Sequence, residues 1–386
     1  MLIQRGYKTE LKPNNKQRTL FAKNAGAARF AYNWALNLKK QAFDDRTKIP
    51  NAIELHRELN KLKKTELPWM YDVSKCSPQE ALRNCDIAFK NFFDRCKKKV
   101  KGKKGFPKFK SRRSGLGSFR LTGTIKVTNN TIQLPRLGKI KLKESDYLPI
   151  DSKIINATIS EKVGRWYVSI LVEEEIDLPK KQNDEVGVDL GIKTLAVVSD
   201  GQAFENPKAL RNNLKRLQKR SRQLSRKVKG SQNRKKAAKR LAKLHCKIAN
   251  IRKDTIHKIT SLLTKTKSKI VIEDLNISGM LKNRRLSRAI IDVGLFEFRR
   301  QLEYKGKWHN CEIIVADRFF PSSKKCSSCG NIKQDLTLAD RVYRCDECDF
   351  EIDRDINAAC NLETYTVSST EINAFGDRSS GLTLVS

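Results

Sequence analysis

EVGVDLGIKTLAVVSDGQAFENP, residues 185–207, sets three short apolar runs between turn signals. Their length and β-branched content suit buried strands, with turns at Gly191–Lys193 and at Asp200-Gly201. Asp189 stands inside the first run. A carboxylate within an apolar strand costs on the order of several kcal/mol unless a cation or hydrogen bonds offset its burial. This position therefore calls for a partner.

Working outward, KSKIVIEDLNI (267–277) reads as a buried strand ending in acids, and VGLFEFRRQLEYKGKW (293–308) as an amphipathic helix. CEIIVAD (311–317) is a further strand, and DRDINAACNLE (353–363) a closing helix. A three-strand meander, helices, strand, helix, strand and helix is the order of an RNase H-like (RuvC-type) α/β core. Within it Glu273 ends a strand and Asp355 starts the last helix. Each acid alone could be a salt-bridge partner or a helix-start residue. Together with Asp189, at positions this fold brings to one place, they predict a catalytic carboxylate set. Hard oxygen ligands suit Mg²⁺ or Mn²⁺. Two ions about 4 Å apart would activate water and steady the leaving oxygen in phosphodiester hydrolysis. Asp274 should point to the opposite face of its strand from Glu273. Asp353 stays open as the alternative to Asp355.

Cys326-x2-Cys329-x15-Cys345-x2-Cys348 has four-thiolate zinc-ribbon spacing, each pair lying near a turn whose amides can face sulfur. A closed set of four thiolates predicts a structural Zn²⁺. The remaining cysteines, Cys76, Cys85, Cys96, Cys246, Cys311 and Cys360, follow no ligand pattern and read as small hydrophobes. No histidine has a triad-like setting and no Walker-type loop is present, so Ser-His-Asp, Cys-His and ATPase chemistry have no support.

In the first half, residues 1–11 read as a strand. Helical spacing covers 15–43 and 53–64, and a third helix is expected from Ser77, with Ser-Pro-Gln-Glu as its start. KKKVKGKKGFPKFKSRR (97–113) reads as a basic loop offering Lys108 and Lys110 to phosphate. From Phe119 to Val172 short strands alternate with turns at 129–130 and 163–164. The expected fold class is multidomain α+β. A small β-barrel (1–12 and 115–177) with a helical recognition insertion (13–114) precedes the RuvC core (178–317 and 351–365). That core carries an inserted zinc ribbon (318–350), and a poorly ordered tail (366–386) follows.

Lys and Arg outnumber Asp and Glu 80 to 42, a formal charge of +38. Such a surplus would repel itself in a compact fold unless a polyanion shares the surface. Anionic membrane competes with nucleic acid here. No stretch approaches about 18 apolar residues, and MLIQRGYKTELK lacks a signal-peptide core, so a cytoplasmic protein that avoids membrane is expected. Residues 206–253 hold 19 Lys/Arg and no acid. Leu210, Leu214, Leu217, Leu224 and Val228 form one seam, and Leu241, Leu244, Ile248 and Ile251 another, broken at Gly230-Ser231. A basic helical hairpin within 206–265 follows, with Lys235, Lys236, Lys239 and Arg240 as candidate phosphate contacts.

These stretches resemble the TnpB family of bacterial insertion sequences, RNA-guided nucleases related to type V CRISPR effectors. AGAARFAYNWAL, the run from Ser77 through AFKNFF to GFPKFK, GVDLGIKTLAVVSDG, IVIEDLNISGM, EFRRQLEYKGKW, FPSSKKCSSCG and DRDINAACNL carry the likeness along nearly the whole chain. The resemblance implies that Asp189, Glu273 and Asp355 are the catalytic carboxylates and the four paired cysteines the zinc site. It also implies a guide RNA, double-strand cleavage of matching DNA, and recognition of a short motif flanking the target. Cys360 departs from the family's last helix, past the catalytic acid. Gln79 and Arg83, at i,i+4 on the third helix, are candidates for reading base edges, although solvation of the helix surface would account for them equally. Two rivals stand beside the guided nuclease: a nuclease-independent guided repressor, opposed by all three acids being present, and a transposase acting directly on element ends.

Overall fold

The computed structural model describes residues 1–98, 105–112, 115, 117–337 and 340–365. Most of the lysine run in the 97–113 segment, and the tail 366–386, lie outside the described residues. The chain divides into two units, Met1–Ile176 and Asp177–Ser386.

The first unit comprises β1 (Leu2–Lys12), α1 (Asn15–Asp44), α2 (Ala52–Thr65), α3 (Cys76–Lys97), β2 (Ser118–Leu121), β3 (Lys126–Val127), β4 (Thr131–Leu134), β5 (Gly138–Leu142), β6 (Lys153–Lys162) and β7 (Arg165–Glu175). Its strands pair antiparallel in the order β2-β6-β7-β1-β5-β4-β3. β1 runs along β7 from Leu2 to Leu11 and reaches β5 only at Leu11 and Lys12, which joins the two halves of the sheet. Alternation puts Leu121, Ile132, Ile140, Ile159, Val168 and Ile170 on one face. They share a core with Phe21, Leu36, Leu55 and Leu82 of the helices.

Helix starts follow from local chemistry. Asn14 with Gln17, and Asn51 with Glu54, form reciprocal capping boxes at α1 and α2. The expected start of α3 at Ser77 is corrected: the helix begins at Cys76, with no side-chain cap. Ser77 is buried, and its hydroxyl donates to Asn24 Oδ1 of α1 at 2.7 Å. A tertiary partner has taken the group that would have capped.

The second unit comprises β8 (Glu185–Asp189), β9 (Thr194–Val198), β10 (Ala203–Glu205), α4 (Ala209–Ser225), α5 (Gln232–Thr266), β11 (Lys269–Glu273), α6 (Ile277–Met280), α7 (Ser287–Val293), α8 (Leu295–His309), β12 (Glu312–Ala316), β13 (Val342–Arg344), β14 (Glu351–Asp353) and α9 (Arg354–Glu363). Its larger sheet has the order β10-β9-β8-β11-β12. β8 and β9 are antiparallel, whereas β8–β11 and β11–β12 are parallel. Val186, Val188, Ile270 and Ile272 pack with Ile256, Ile259 and Leu263 of α5 and Phe298 and Leu302 of α8. Val271 and Ala316 meet Leu362 of α9 on the opposite face.

On that second face α9 comes so close to β8 that a Cβ on Gly187 would lie 1.9 Å from the Ala359 carbonyl oxygen. Both obstructing groups nearest to it are backbone, so the helix itself would have to move. Gly187→Ala is expected to destabilise the second unit by about 3 kcal/mol, at the upper end of overpacking costs. A chemical-denaturation midpoint equal to wild type would contradict this close approach.

The hairpin forms as α4 and α5, with Leu217, Leu244 and Ile248 buried between them. Val228 is corrected as a seam residue: it lies beyond the end of α4 and is 77% exposed. The α4 start is tied down by Asp292 of α7, whose carboxylate accepts the amides of Leu210 and Arg211. β13 and β14 pair antiparallel, with Val342 opposite Asp353 and Arg344 opposite Glu351.

Candidate functional site

Strand parity explains how the acids meet. Asp189 shares the β8 face of Gly187, and Glu273 shares the β11 face of Val271, so both point toward α9. Parallel register pairs Val188 with Ile272, placing the two acids one residue further along neighbouring strands. Asp355 lies in the first turn of α9, the helix packed over them.

Asp189 retains some residue-level exposure, but its carboxyl group lies deep among neighbouring atoms. Burial first, then the charges of Glu273 and Asp355, push its pKa up to about 7, while the Arg354 guanidinium and the Leu190 amide pull the other way. Glu273 and Asp355 thus act on Asp189 as like charges, and all three side chains offer only oxygen donors, the ligand chemistry that hard divalent cations prefer. Asp353 is otherwise engaged. Its carboxylate caps α9 by accepting from the amides of Asp355 and Ile356 at 2.9 and 3.2 Å. Asp355 is the acid of this pair whose charge raises Asp189. Asp274 turns away: although burial pushes its carboxyl up, Arg318 and Arg299 outweigh this and hold it low.

The four cysteines gather around one point, their sulfur atoms all within 4.8 Å of one another, the only such ligand set among the described residues. Sγ–Sγ distances are 3.8 Å for Cys326–Cys348 and 3.5 Å for Cys329–Cys345. A tetrahedron with metal–sulfur bonds of about 2.3 Å has edges of roughly 3.8 Å, so the set fits a zinc ribbon. The Glu347 amide, opposed by burial but joined by the Cys348 amide, holds the Cys345 thiol down at about 6.

The nucleic-acid candidates scatter. Lys235, Lys236, Lys239 and Arg240 are exposed on α5, with no ion pair among the described residues. Lys108 is exposed. Lys110 is a weaker candidate: its ammonium sits 3.9 Å from the Tyr32 ring centroid, and burial of that head lowers its pKa. Its backbone is fixed in both directions by Asn33, at 2.8 and 2.9 Å. Gln79 and Arg83 share α3, and Arg83 is paired with Glu80 at 2.7 Å.

Sequence reasoning missed Ser322, whose hydroxyl donates to Glu273 Oε1. It also missed Arg354, which lies close enough to lower Asp189. Neither has a periodic signature. Their only signal was position, one four residues before Cys326 and one between two acids.

Among the described residues, no helix is long and apolar enough to cross a membrane. A family model described as "Probable transposase", of the OrfB/IS605 type, matches residues 169–284, and a Cas12f1-like TNB domain model matches 296–362. A helix-turn-helix model matches 1–48, although those residues here form one strand and one long helix. A Streptomyces pristinaespiralis protein named as an RNA-guided DNA endonuclease is 36% identical over 93% of this chain and 89% of its own length. InsQ of Escherichia coli K12, named likewise, is 33% identical over 92% of this chain and 90% of its own length. A cryo-EM structure of a Cas12f1–sgRNA–target DNA complex shares the fold, with a TM-score of 0.58 and 13% identity, covering 94% of this chain and 99% of that one. The chain belongs to the TnpB family and is related to the type V CRISPR effectors.

Proposed function

We propose that the protein is an RNA-guided DNA endonuclease, with a RuvC-type core in the second unit and a barrel with a helical recognition insertion in the first. The observation that carries the chemistry is the Asp189 carboxyl, buried and raised by Glu273 and Asp355. The three acids would hold a hard divalent ion, Mg²⁺ or Mn²⁺, which supplies Lewis-acid charge neutralisation at a phosphodiester. Arg354 lies beside them, its guanidinium 3.6 Å from Asp355. It limits the negative charge at the site and fixes the start of α9 through the Thr337 carbonyl. The four-thiolate cluster would hold Zn²⁺ in a closed, structural role.

The partners follow from the family and the charge. Relatives are named as RNA-guided DNA endonucleases, and the similar Cas12f1 structure is a complex with sgRNA and target DNA. A guide RNA and matching double-stranded DNA with a flanking motif are the corresponding partners here. The exposed cations of α5 suit backbone and shape recognition, while base pairing supplies sequence.

The test is to strip the protein of RNA and offer it DNA, then add back copurifying RNA. Selective cleavage should appear only with RNA; selective cutting of one sequence without it would leave a transposase in its place. Reversing the charges of Lys235, Lys236, Lys239 and Arg240 together should reduce the slope of log affinity against log salt by about 3 to 4, if each meets one phosphate. An unchanged slope would remove α5 from the RNA surface.

A further inference from the structure

The ribbon and the acid site are joined by three side chains that the reaction itself does not use. Asn357 of α9 is fully buried and its carboxamide straddles the ligand Cys326. Oδ1 accepts the Ser327 amide at 3.0 Å, and Nδ2 donates to the Lys325 carbonyl at 2.7 Å. One turn further along the same helix, buried Asn361 donates to the Lys325 carbonyl at 2.7 Å and to the Ser322 carbonyl at 2.8 Å. The backbone partners leave no choice of amide orientation, since carbonyls need the nitrogen and the Ser327 N–H needs the oxygen. Ser322, itself 3% exposed, then passes its hydroxyl proton toward Glu273 Oε1.

The path is continuous. It runs from the chain on both sides of Cys326, through two carboxamides on the helix that carries Asp355, to the donor that orients Glu273. Asn357 and Asn361 are spaced i,i+4, so one helix face makes all of these hydrogen bonds to residues 322–327. A simple packing role would be met by apolar residues at these buried positions. Buried amides hydrogen-bonded at each end instead fix direction as well as distance.

We infer that Ser322, Asn357 and Asn361 are positioning residues that make the divalent-ion affinity of the acids depend on the closed ribbon. The inference rests on the acids being a divalent-ion site, as proposed above. Groups that orient metal ligands typically change metal affinity ten- to a hundred-fold when removed. The ribbon would thus govern the catalytic centre without touching the ion or the substrate.

The test uses the full chain bound to its RNA. Mn²⁺ binding is followed by electron paramagnetic resonance, with signal from the Asp189→Ala protein subtracted to remove ions held by RNA. Ser322→Ala should keep one zinc per chain by elemental analysis and keep its affinity for guided DNA, yet need about ten- to a hundred-fold more Mn²⁺ for half-saturation. Ser322→Thr, which retains the hydroxyl, should recover most of that loss. Asn361→Asp is a second route: it keeps the shape but cannot donate to either carbonyl, and it should shift the same midpoint with zinc retained. A Ser322→Ala or Asn361→Asp midpoint within twofold of wild type overturns the inference and leaves the nuclease reading intact. Zinc loss in Ser322→Ala also overturns it, because Ser322 would then be supporting the ribbon rather than Glu273. Wild-type protein binding no more Mn²⁺ than Asp189→Ala removes the nuclease reading and this inference with it.

Discussion

Guided cleavage should fall at least about 10³-fold when Asp189, Glu273 or Asp355 is replaced by Ala, with binding of RNA and DNA largely kept. The loss is large because each acid comes from a different element: β8, β11 and α9. The two acids closest in sequence to the set are engaged elsewhere. Asp353 is committed to capping α9 and Asp274 to Arg299 and Arg318. The fold should tolerate the changes. Asp189 is raised above its ordinary range, which means that its charged form is disfavoured where it lies. Removing it therefore relieves the ion-free folded state, and in EDTA the thermal midpoint of Asp189→Ala should equal or exceed that of wild type. The cationic surface of α5 is untouched by any of the three substitutions. Full cutting activity in EDTA, or in the Asp189→Ala protein, would refute the assignment; so would loss of cutting that merely tracks unfolding.

Cys345→Ser should abolish zinc binding and unfold the ribbon around residues 326–352. The β13–β14 hairpin is only three residue pairs long, and its small core consists of Cys326, Tyr343 and Cys345 with Leu336, Phe350 and Ile352 against them. Two of the three buried members are thiols of the cluster. So little apolar surface cannot order this segment alone, whereas structural zinc contributes roughly 10–16 kcal/mol of apparent binding energy at neutral pH. Limited proteolysis should cut the variant within 326–352 while the first unit, which has a separate core, stays resistant. A Cys345→Ser protein that resists protease and cuts DNA normally, or wild-type protein without zinc, would show that the thiols are a packing cluster only.

Periodicity made the long elements legible. The strands around Asp189 and Glu273, the helices of the first unit and the basic hairpin all have repeats that a reader can count. Alternation on β11 also indicated that Asp274 points away from the face of Glu273. What escaped is short, polar and long-range. Ser77 has every local mark of a cap, but its hydroxyl belongs to Asn24, a residue 53 positions away. Val228 continues the leucine seam in spacing, but the helix has already ended at Ser225. Asp292 caps a helix from 82 positions further on, and Ser322 meets Glu273 across 49. A single hydrogen bond between distant residues leaves no pattern in either neighbourhood. Lys110 shows the converse: its composition suggests a solvated charge, and only the fold reveals that its head rests on Tyr32.

The unmixed charge of the α4–α5 hairpin bears on how the protein should be handled. Its buried seam is thin, Ala209, Leu217, Leu244 and Ile248, while its outer faces carry many cations and scarcely any acids. Self-repulsion works against so small a core, and it grows as the buffer becomes more dilute. RNA bound there, as proposed above, would act as a folding ligand, adding stability in proportion to the logarithm of its concentration over its dissociation constant. The apparent melting temperature of the hairpin is then a property of the ribonucleoprotein. Nuclease-treated samples should melt earlier, by a margin that shrinks when a sequence-free polyanion such as heparin is supplied.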